Sequence, residues 1–265
     1  RGEDAHGEGG REEEEEEEDK AQGGGEEEEE LDADAEEEVL VFVRSAGLTL
    51  ARTLSLQVFL AGVTRYVAVA GDDALAANHI LRSAYSLLSF ATDAVAVAAQ
   101  TLVAQAPTGP EKRRAAVRLF GWGGALGLAF GLGLYAFADV VVAGLVDTSD
   151  RGVAALAAAD MRSVLAPLQL LSSLVFVADG VLQGATAFRY EAAAMVLSVA
   201  VAFAALVAGG APTTAPEALD AAWLAVCVLQ ASRFSTFLFW WLLAAPFKDD
   251  DDDDRRRPEA TTSYH

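Results

Sequence analysis

The sequence has little sulfur and lacks the residue sets on which common hydrolases and pumps depend. Its one cysteine, Cys227, lies within an apolar run, so no internal disulfide can form and we expect the thiol to pack inside a helix. An HExxH pair, a GxSxG elbow, a Walker phosphate loop and a Cys/His cluster are all missing. Zinc proteolysis, serine hydrolysis at the usual elbow and nucleotide-driven pumping therefore lack their required groups. We expect a chain that is not an enzyme, holds no cofactor or metal, and binds no nucleic acid.

Basic residues are scarce, and the acidic excess is confined to the two ends. The 265 residues carry 19 Lys and Arg against 40 Asp and Glu, a formal net charge of -21. Residues 1–38 hold 21 acids and 3 bases, and residues 249–257 hold six Asp and three Arg, so the remainder is neutral. Runs such as Glu12–Glu18 repel one another and bury no apolar surface, which predicts a disordered acidic arm over residues 1–43. That arm is either a solvated linker or a docking and regulatory segment.

Long apolar runs dominate the sequence between these charged ends. A helix needs about 20 residues to cross a hydrocarbon layer of ~30 Å, and six runs are about long enough. They are Leu48–Ala70, Leu75–Ala104, Phe120–Val146, Val164–Phe188, Ala192–Gly209 and Ala222–Leu243. Continuous runs differ from the alternating pattern of barrel strands. The sequence therefore predicts an all-α, integral membrane six-helix bundle over residues 44–247, followed by a charged cytoplasmic tail, 248–265.

The distribution of basic residues predicts which side each loop faces, because Lys and Arg accumulate in short cytoplasmic connections. Basic residues follow the second, fourth and sixth runs: Lys112, Arg113, Arg114, Arg118, Arg189 and Lys248. The loops after the first and fifth runs contain none. Arg151 and Arg162, expected in the outer loop between the third and fourth runs, oppose the trend. We expect both chain ends on the cytoplasmic side or its topological equivalent.

Polar residues form a stripe along one face of the second run, where they recur at helical spacing. They are Asn78, Arg82, Ser86, Ser89, Asp93 and Gln100. The fourth run repeats the pattern with Gln169, Ser172, Asp179 and Gln183. Polar groups within a bilayer must face other helices or water, so the two stripes are expected to face a shared polar interior. The alternative is that the Ser and Gln residues only hold helices together, at about 0.6 kcal/mol per hydrogen bond.

Asp179 lies in the apolar stretch Leu174–Leu182 and is the most informative residue of the chain. Moving an ionised group into hydrocarbon costs at least ~2.5 kcal/mol, so an acid at this depth indicates a working group that faces a cavity or a partner. Asp179 and Asp93 are the candidates for binding a cation, a proton or a substrate. Arg82 lies three turns from Asp93, too far for an expected direct pair. His79 is expected to be interfacial rather than a proton relay.

Small and aromatic residues in the runs predict packing and anchoring rather than chemistry. Gly123, Gly127 and Gly131 form a small-xxx-small ridge, which lets two helix backbones approach closely. Trp240 and Trp241 fit an aromatic belt at a membrane interface.

Several of these segments together resemble one transporter family. ARTLSL at Ala51–Leu56, LAANHI at Leu75–Ile80, and the stretches Thr92–Gln105 and Val164–Leu197 are similar to the C-terminal lobe of multidrug and toxic compound extrusion (MATE) transporters. Within that family the similarity is to the DinF-like branch, which includes plant and algal DETOXIFICATION proteins. The resemblance covers roughly residues 44–245, and its most specific part is Asp179–Tyr190.

The resemblance implies a secondary antiporter that exchanges organic compounds, either xenobiotics or organic anions, for protons or sodium ions by alternating access. It also implies that Asp179 is the membrane acid of this lobe, with Asp93 and Gln100 at the matching polar positions of its second helix. Gln183, Arg82 and Asn78, from the polar stripes, are expected to line the same cavity. Members of the family have two six-helix lobes, so the chain is expected to be a fragment whose acidic arm is the inter-lobe linker, or to pair with a second copy. A chloroplast envelope is the implied location, with the plasma and vacuolar membranes as alternatives.

Two departures from the family pattern keep other functions open. Asn78 and His79 stand where the branch usually shows His-Gln, and the lobe that carries a cation-coupling Asp in DinF-like members is missing from this sequence. A lipid or saccharide flippase of the same superfamily is one alternative, although the few basic residues argue against a polyanionic cargo. A membrane anchor that recruits a partner through its acidic arm is the other.

Overall fold

The structure is a computed structural model that describes residues 39–40, 42–145, 150–243 and 247. Most of the predicted acidic arm (1–38 and 41) and the predicted charged tail (248–265) lie outside the described residues. The chain divides into two compact units, Arg1–Leu48 and Thr49–His265. The described part of the first unit is helical, and the packing reported below lies within the second.

Within the described part of the chain, six helices are long and apolar enough to cross a membrane. They are α1 (Phe42–Ala68), α2 (Asp72–Gln105), α3 (Gly109–Leu145), α4 (Arg151–Gly184), α5 (Phe188–Ala208) and α6 (Ala215–Leu243). The described residues contain no strand. The predicted all-α class and the number of spans are confirmed, and α5, from the shortest apolar run, is the shortest helix.

All six helices begin earlier than hydropathy predicts, and α3 and α4 do so by the most residues. α3 starts at Gly109 and includes the basic residues after the second run, and α4 starts at Arg151. The Asp150 carboxylate caps α4 by accepting hydrogen bonds from the amides of Gly152 (2.7 Å) and Val153 (3.2 Å). Arg151 and Arg162 therefore lie in α4, and their predicted placement in an outer loop is wrong. The capped helix begins before its apolar run. Arg162 forms an ion pair with Asp139 of α3.

α4 contains a π-helical turn, Met161–Leu165, just before Pro167. Proline lacks an amide hydrogen, and in a regular α-helix its ring would collide with the carbonyl four residues earlier, here that of Ser163. A π turn widens the helix at this point and accommodates the proline.

α4 is the central helix of the bundle. In the most apolar stretch of α4, 67% of the residues are buried, against 22% in the corresponding stretches of α2 and α3. Glycines allow the close packing on α3: an added Cβ would lie 2.5 Å from Val177 at Gly123, 2.8 Å from the carbonyl oxygen of Gln169 at Gly127, and 2.6 Å from that of Ala166 at Gly131. The glycine ridge of the third run therefore faces α4.

The outer surface of the helices is strongly apolar. Phe90, Trp122 and Leu132 are exposed by 75%, 73% and 62%. A surface of large exposed apolar side chains on spanning-length helices requires a hydrocarbon environment. The chain is an integral, multi-pass membrane protein.

Trp240 and Trp241 both pack against Phe237. Their ring centroids lie 6.0 and 5.8 Å from that of Phe237, respectively.

Candidate functional site

The centre of the candidate site is a buried ion-pair cluster around Asp179, formed by Asp179, Arg233, Arg52 and Glu191. Asp179 (α4) and Arg233 (α6) are each 8% exposed and form an ion pair. Arg52 (α1) donates from Nη2 to Asp179 Oδ2 at 2.9 Å, and its Nη1 lies 2.9 Å from Oε1 of Glu191 (α5). Four helices thus meet at two carboxylates and two guanidinium groups.

The cluster is formally neutral when all four groups are ionised, which is the arrangement that buried charges require. Gln183, one turn after Asp179, donates from Nε2 to Glu191 Oε1 at 2.9 Å. Glu191 is 5% exposed, whereas the side chain of Arg52 is 20% exposed. Arg52 is therefore the most exposed member of the cluster, and Arg233 is buried in the core.

A hydrogen-bonded chain extends from Arg233 toward α2. Arg233 Nη1 donates to Gln230 Oε1 at 2.8 Å, and Gln230 Nε2 donates to the hydroxyl of Tyr85 at 2.6 Å. The Tyr85 hydroxyl lies 3.3 Å from Ser172 Oγ of α4. Gln230 of α6 thus joins α2, through Tyr85, to α4, through Ser172. Ser172 belongs to the polar stripe predicted for the fourth run, whereas Tyr85 is not one of the stripe residues predicted for the second.

A cavity of about 420 Å³ lies beside this series of hydrogen bonds. Its volume is within the usual size range of small-molecule sites. Apolar and aromatic side chains from α1, α2, α4 and α6 form most of its wall, including Leu60, Phe176 and Trp223. Arg233 and Gln230 also line it. The guanidinium group of Arg233 therefore belongs both to the ion-pair cluster and to the cavity wall.

The structure separates the predicted site residues into two places. Asn78, Arg82 and Asp93 line the cavity, together with Ser86 and Ser89 of the same stripe. Asp179 belongs to the ion-pair cluster, and Gln183 donates a hydrogen bond to its Glu191. Among the described residues, the cavity wall contains none of the polar stripe residues predicted for the fourth run, so the two stripes do not line one shared polar interior. Arg82 donates from Nη1 to Thr64 Oγ1 at 3.1 Å and does not pair with Asp93.

Gln100 lies in neither place. Its backbone carbonyl packs against α4, where a Cβ added to Gly184 would lie 2.6 Å from the carbonyl oxygen. An added Cβ at Gly180 would similarly lie 2.1 Å from the carbonyl oxygen of Ala96. The stretch of α2 that contains Gln100 thus contacts α4 by backbone packing. The functional roles of all six predicted residues stay predictions.

Sequence reasoning missed the partners of Asp179. Arg233 lies within the sixth apolar run, Arg52 within the first, and Glu191 at the edge of the fifth. Ionisable residues inside membrane segments are candidates for functional sites, and that signal was available for all three. Their pairing depends on the rotation of each helix about its axis, which hydropathy does not contain.

Comparison with known proteins finds a similarity to a plant protein. The chain is 33% identical over 158 residues to Protein DETOXIFICATION 44, chloroplastic, of Arabidopsis thaliana. The match covers 59% of this chain and 30% of that protein, so the chain aligns with less than a third of its relative's length. No family model matches the chain, and no solved structure matches it.

Proposed function

Because its similarity to a plant DETOXIFICATION protein supports a MATE-family C-terminal lobe of the plant branch, we propose that this chain is one half of a secondary efflux transporter. It exchanges a small organic compound for protons or sodium ions by alternating access. The second half is a further six-helix lobe or a second copy of this chain. The relative's name describes that protein as chloroplastic, and we extend a chloroplast-envelope location to this chain as part of the proposal.

The observation that carries the proposal is the position of Arg233. Its guanidinium group forms an ion pair with the candidate coupling acid, Asp179, and also lines the cavity. A proton or sodium ion at Asp179 weakens the hold of the carboxylate on Arg233. The freed guanidinium group then interacts differently with a compound in the cavity, which is the differential contact that coupling requires.

The cluster also supports a structural route for alternating access. Asp179 on α4 is tied to α1 through Arg52 and to α6 through Arg233. These same three helices contribute to the cavity wall. Binding of the coupling ion at one carboxylate therefore releases two helices at once, and their movement changes the shape of the cavity.

The test is flux through the reconstituted full-length transporter. We expect Asp179→Asn to abolish cation-driven efflux while insertion and elution volume stay normal, since the amide neither ionises nor exchanges a cation. The matched control is Asp139→Asn, which removes an acid whose side chain is 76% exposed and is paired with Arg162 outside the cluster. Wild-type flux from Asp179→Asn would refute the coupling role, and loss of flux in both variants would show that the effect is not specific to the cluster.

A further inference from the structure

The cavity has an uneven distribution of charge along its length. Its charged wall residues are Arg82, Asp93 and Arg233. Arg233 is already bound to Asp179 and Gln230. Arg82 and Asp93 lie 11 positions apart on α2, which is about 16 Å along a helix, so they mark separate parts of the cavity rather than a pair.

Arg82 and Asp93 both lack a counter-ion among the described residues, and Arg82 is the more buried of the two. Its side chain is half-buried, and its one hydrogen bond within the described part of the chain is the donation to Thr64 Oγ1. No described carboxylate lies within ion-pair distance of it. A guanidinium group has five N–H donors in a planar fork that matches a carboxylate, so most of its donors are available to an anion.

A bound counter-ion stabilises the charge of Asp93 less than it stabilises the charge of Arg82. Asp93 is exposed whereas Arg82 is half-buried, so a charge without a partner is less costly at Asp93 than at Arg82, and an exposed ion pair gains little. Arg82 shares the cavity wall with apolar residues such as Leu60, Val63 and Trp223, and a partly buried charge without a partner is costly. Electrostatics in the cavity therefore favour an anion at Arg82 over a cation at Asp93.

We propose that the cavity binds an amphipathic organic anion. Its carboxylate or sulfonate group lies at Arg82, beside Asn78 and Thr64, and its apolar or aromatic body packs against Leu60, Val63 and Trp223. The inference narrows the substrate class of the proposed transporter and rests on that proposed function for its role in export. Binding itself needs neither an ion gradient nor a second lobe.

The experiment compares three probes that share one ring system, bound to the chain in phosphatidylcholine nanodiscs. They are 1-naphthoate, 1-naphthylmethylammonium and the neutral 1-naphthalenemethanol, measured by equilibrium dialysis. We expect 1-naphthoate to bind most tightly. Arg82→Gln lowers its affinity about tenfold or more, because a charge-assisted hydrogen-bonded pair is lost, while the neutral alcohol changes little. Arg65→Gln, which removes an exposed arginine of α1 outside the cavity wall, leaves all three unchanged.

Several outcomes would overturn the inference. Tighter binding of the ammonium probe, an unchanged affinity in Arg82→Gln, or an equal loss in Arg65→Gln would each do so. Displacement of 1-naphthoate by added phosphatidylglycerol would identify a lipid headgroup as the occupant and also overturn it. Arg82→Lys keeps the charge without the planar fork, so an intermediate affinity is expected, which retains a test if the Gln variant fails to fold.

The two proposals fail separately. Cation-coupled flux without 1-naphthoate binding would support the transport function and contradict the anion site. Binding of 1-naphthoate at Arg82 without any coupled flux from the full-length protein would leave the site standing and remove the transporter.

Discussion

Two arginines share Asp179, but their surroundings differ. Arg233 is 8% exposed and also donates to Gln230, whereas the side chain of Arg52 is 20% exposed and bridges to Glu191. Removing one partner of a fully buried pair costs about 3–5 kcal/mol, because the other charge is left uncompensated in a low-dielectric interior. The Arg52 side chain is less completely buried, which reduces the corresponding cost. Both positions hold an arginine paired with Asp179, but removing Arg233 is expected to destabilise the protein more than removing Arg52.

We therefore expect Arg233→Met to lower the thermal unfolding midpoint of the detergent-solubilised protein more than Arg52→Met. The measurement is fluorescence-detected size exclusion after heating a temperature series. Arg65→Met is the control, since Arg65 is an exposed residue of α1, and its midpoint should match the wild type. Equal midpoints for the Arg233 and Arg52 variants would contradict the assignment of the core position to Arg233.

At the scale of the helix, α4 depends on glycine where it meets α2. Gly180 follows Asp179 directly, and a Cβ there would lie 2.1 Å from the carbonyl oxygen of Ala96 and 3.0 Å from its Cα. Both obstacles are backbone atoms, so a side-chain rotation cannot relieve them. The position of Asp179 is consequently set by a direct contact between two helix backbones.

Gly180→Ala is expected to destabilise the protein although alanine is the better helix former by about 1 kcal/mol. Gly121→Ala in α3 is the matched control, because Gly121 is exposed and has no heavy atom within 4 Å of an added Cβ. It should be neutral or slightly stabilising. Thermal melts of the two variants provide the comparison, and an unchanged midpoint for Gly180→Ala would show that the two helices separate without cost.

At the scale of the whole molecule, six spans place both ends of the bundle on one side of the membrane. The α2–α3 connection leads into Lys112, Arg113 and Arg114, whereas the α5–α6 connection, residues 209–214, has no basic residue. Charge asymmetry of this kind sets orientation. The first connection is therefore expected to be cytoplasmic, or on the equivalent side, and the second is expected to face the opposite side.

Cysteine labelling tests this orientation directly. Cys227, the one native cysteine, is replaced first so that only the introduced cysteines react. In a Cys227→Ser background, Thr108→Cys and Thr213→Cys should be labelled by a membrane-impermeant maleimide from opposite sides of a sealed vesicle. Thr108 and Thr213 lie in the two connections just described and are exposed. Labelling of both from the same side would rule out the six-span arrangement.

The sequence predicted the elements better than their contacts. The number of spans and the depth of Asp179 could be predicted because apolar run length and a rare membrane acid are local signals. The beginning of α4 could not, since the cap at Asp150 extends the helix beyond its apolar core. The pairing of Asp179 with Arg52 and Arg233 was also inaccessible, because it joins residues 127 and 54 positions away and depends on helix rotation.

The balance of two carboxylates and two guanidinium groups also determines how the protein responds to voltage. A neutral group of four is insensitive to the electric field across a membrane, whereas a single added proton or sodium ion gives it one positive charge. Moving one elementary charge through a potential of 100 mV involves about 2.3 kcal/mol. Movement of the cluster should therefore be electrically silent when Asp179 and Glu191 are both ionised, and driven by the field once either has taken up a cation.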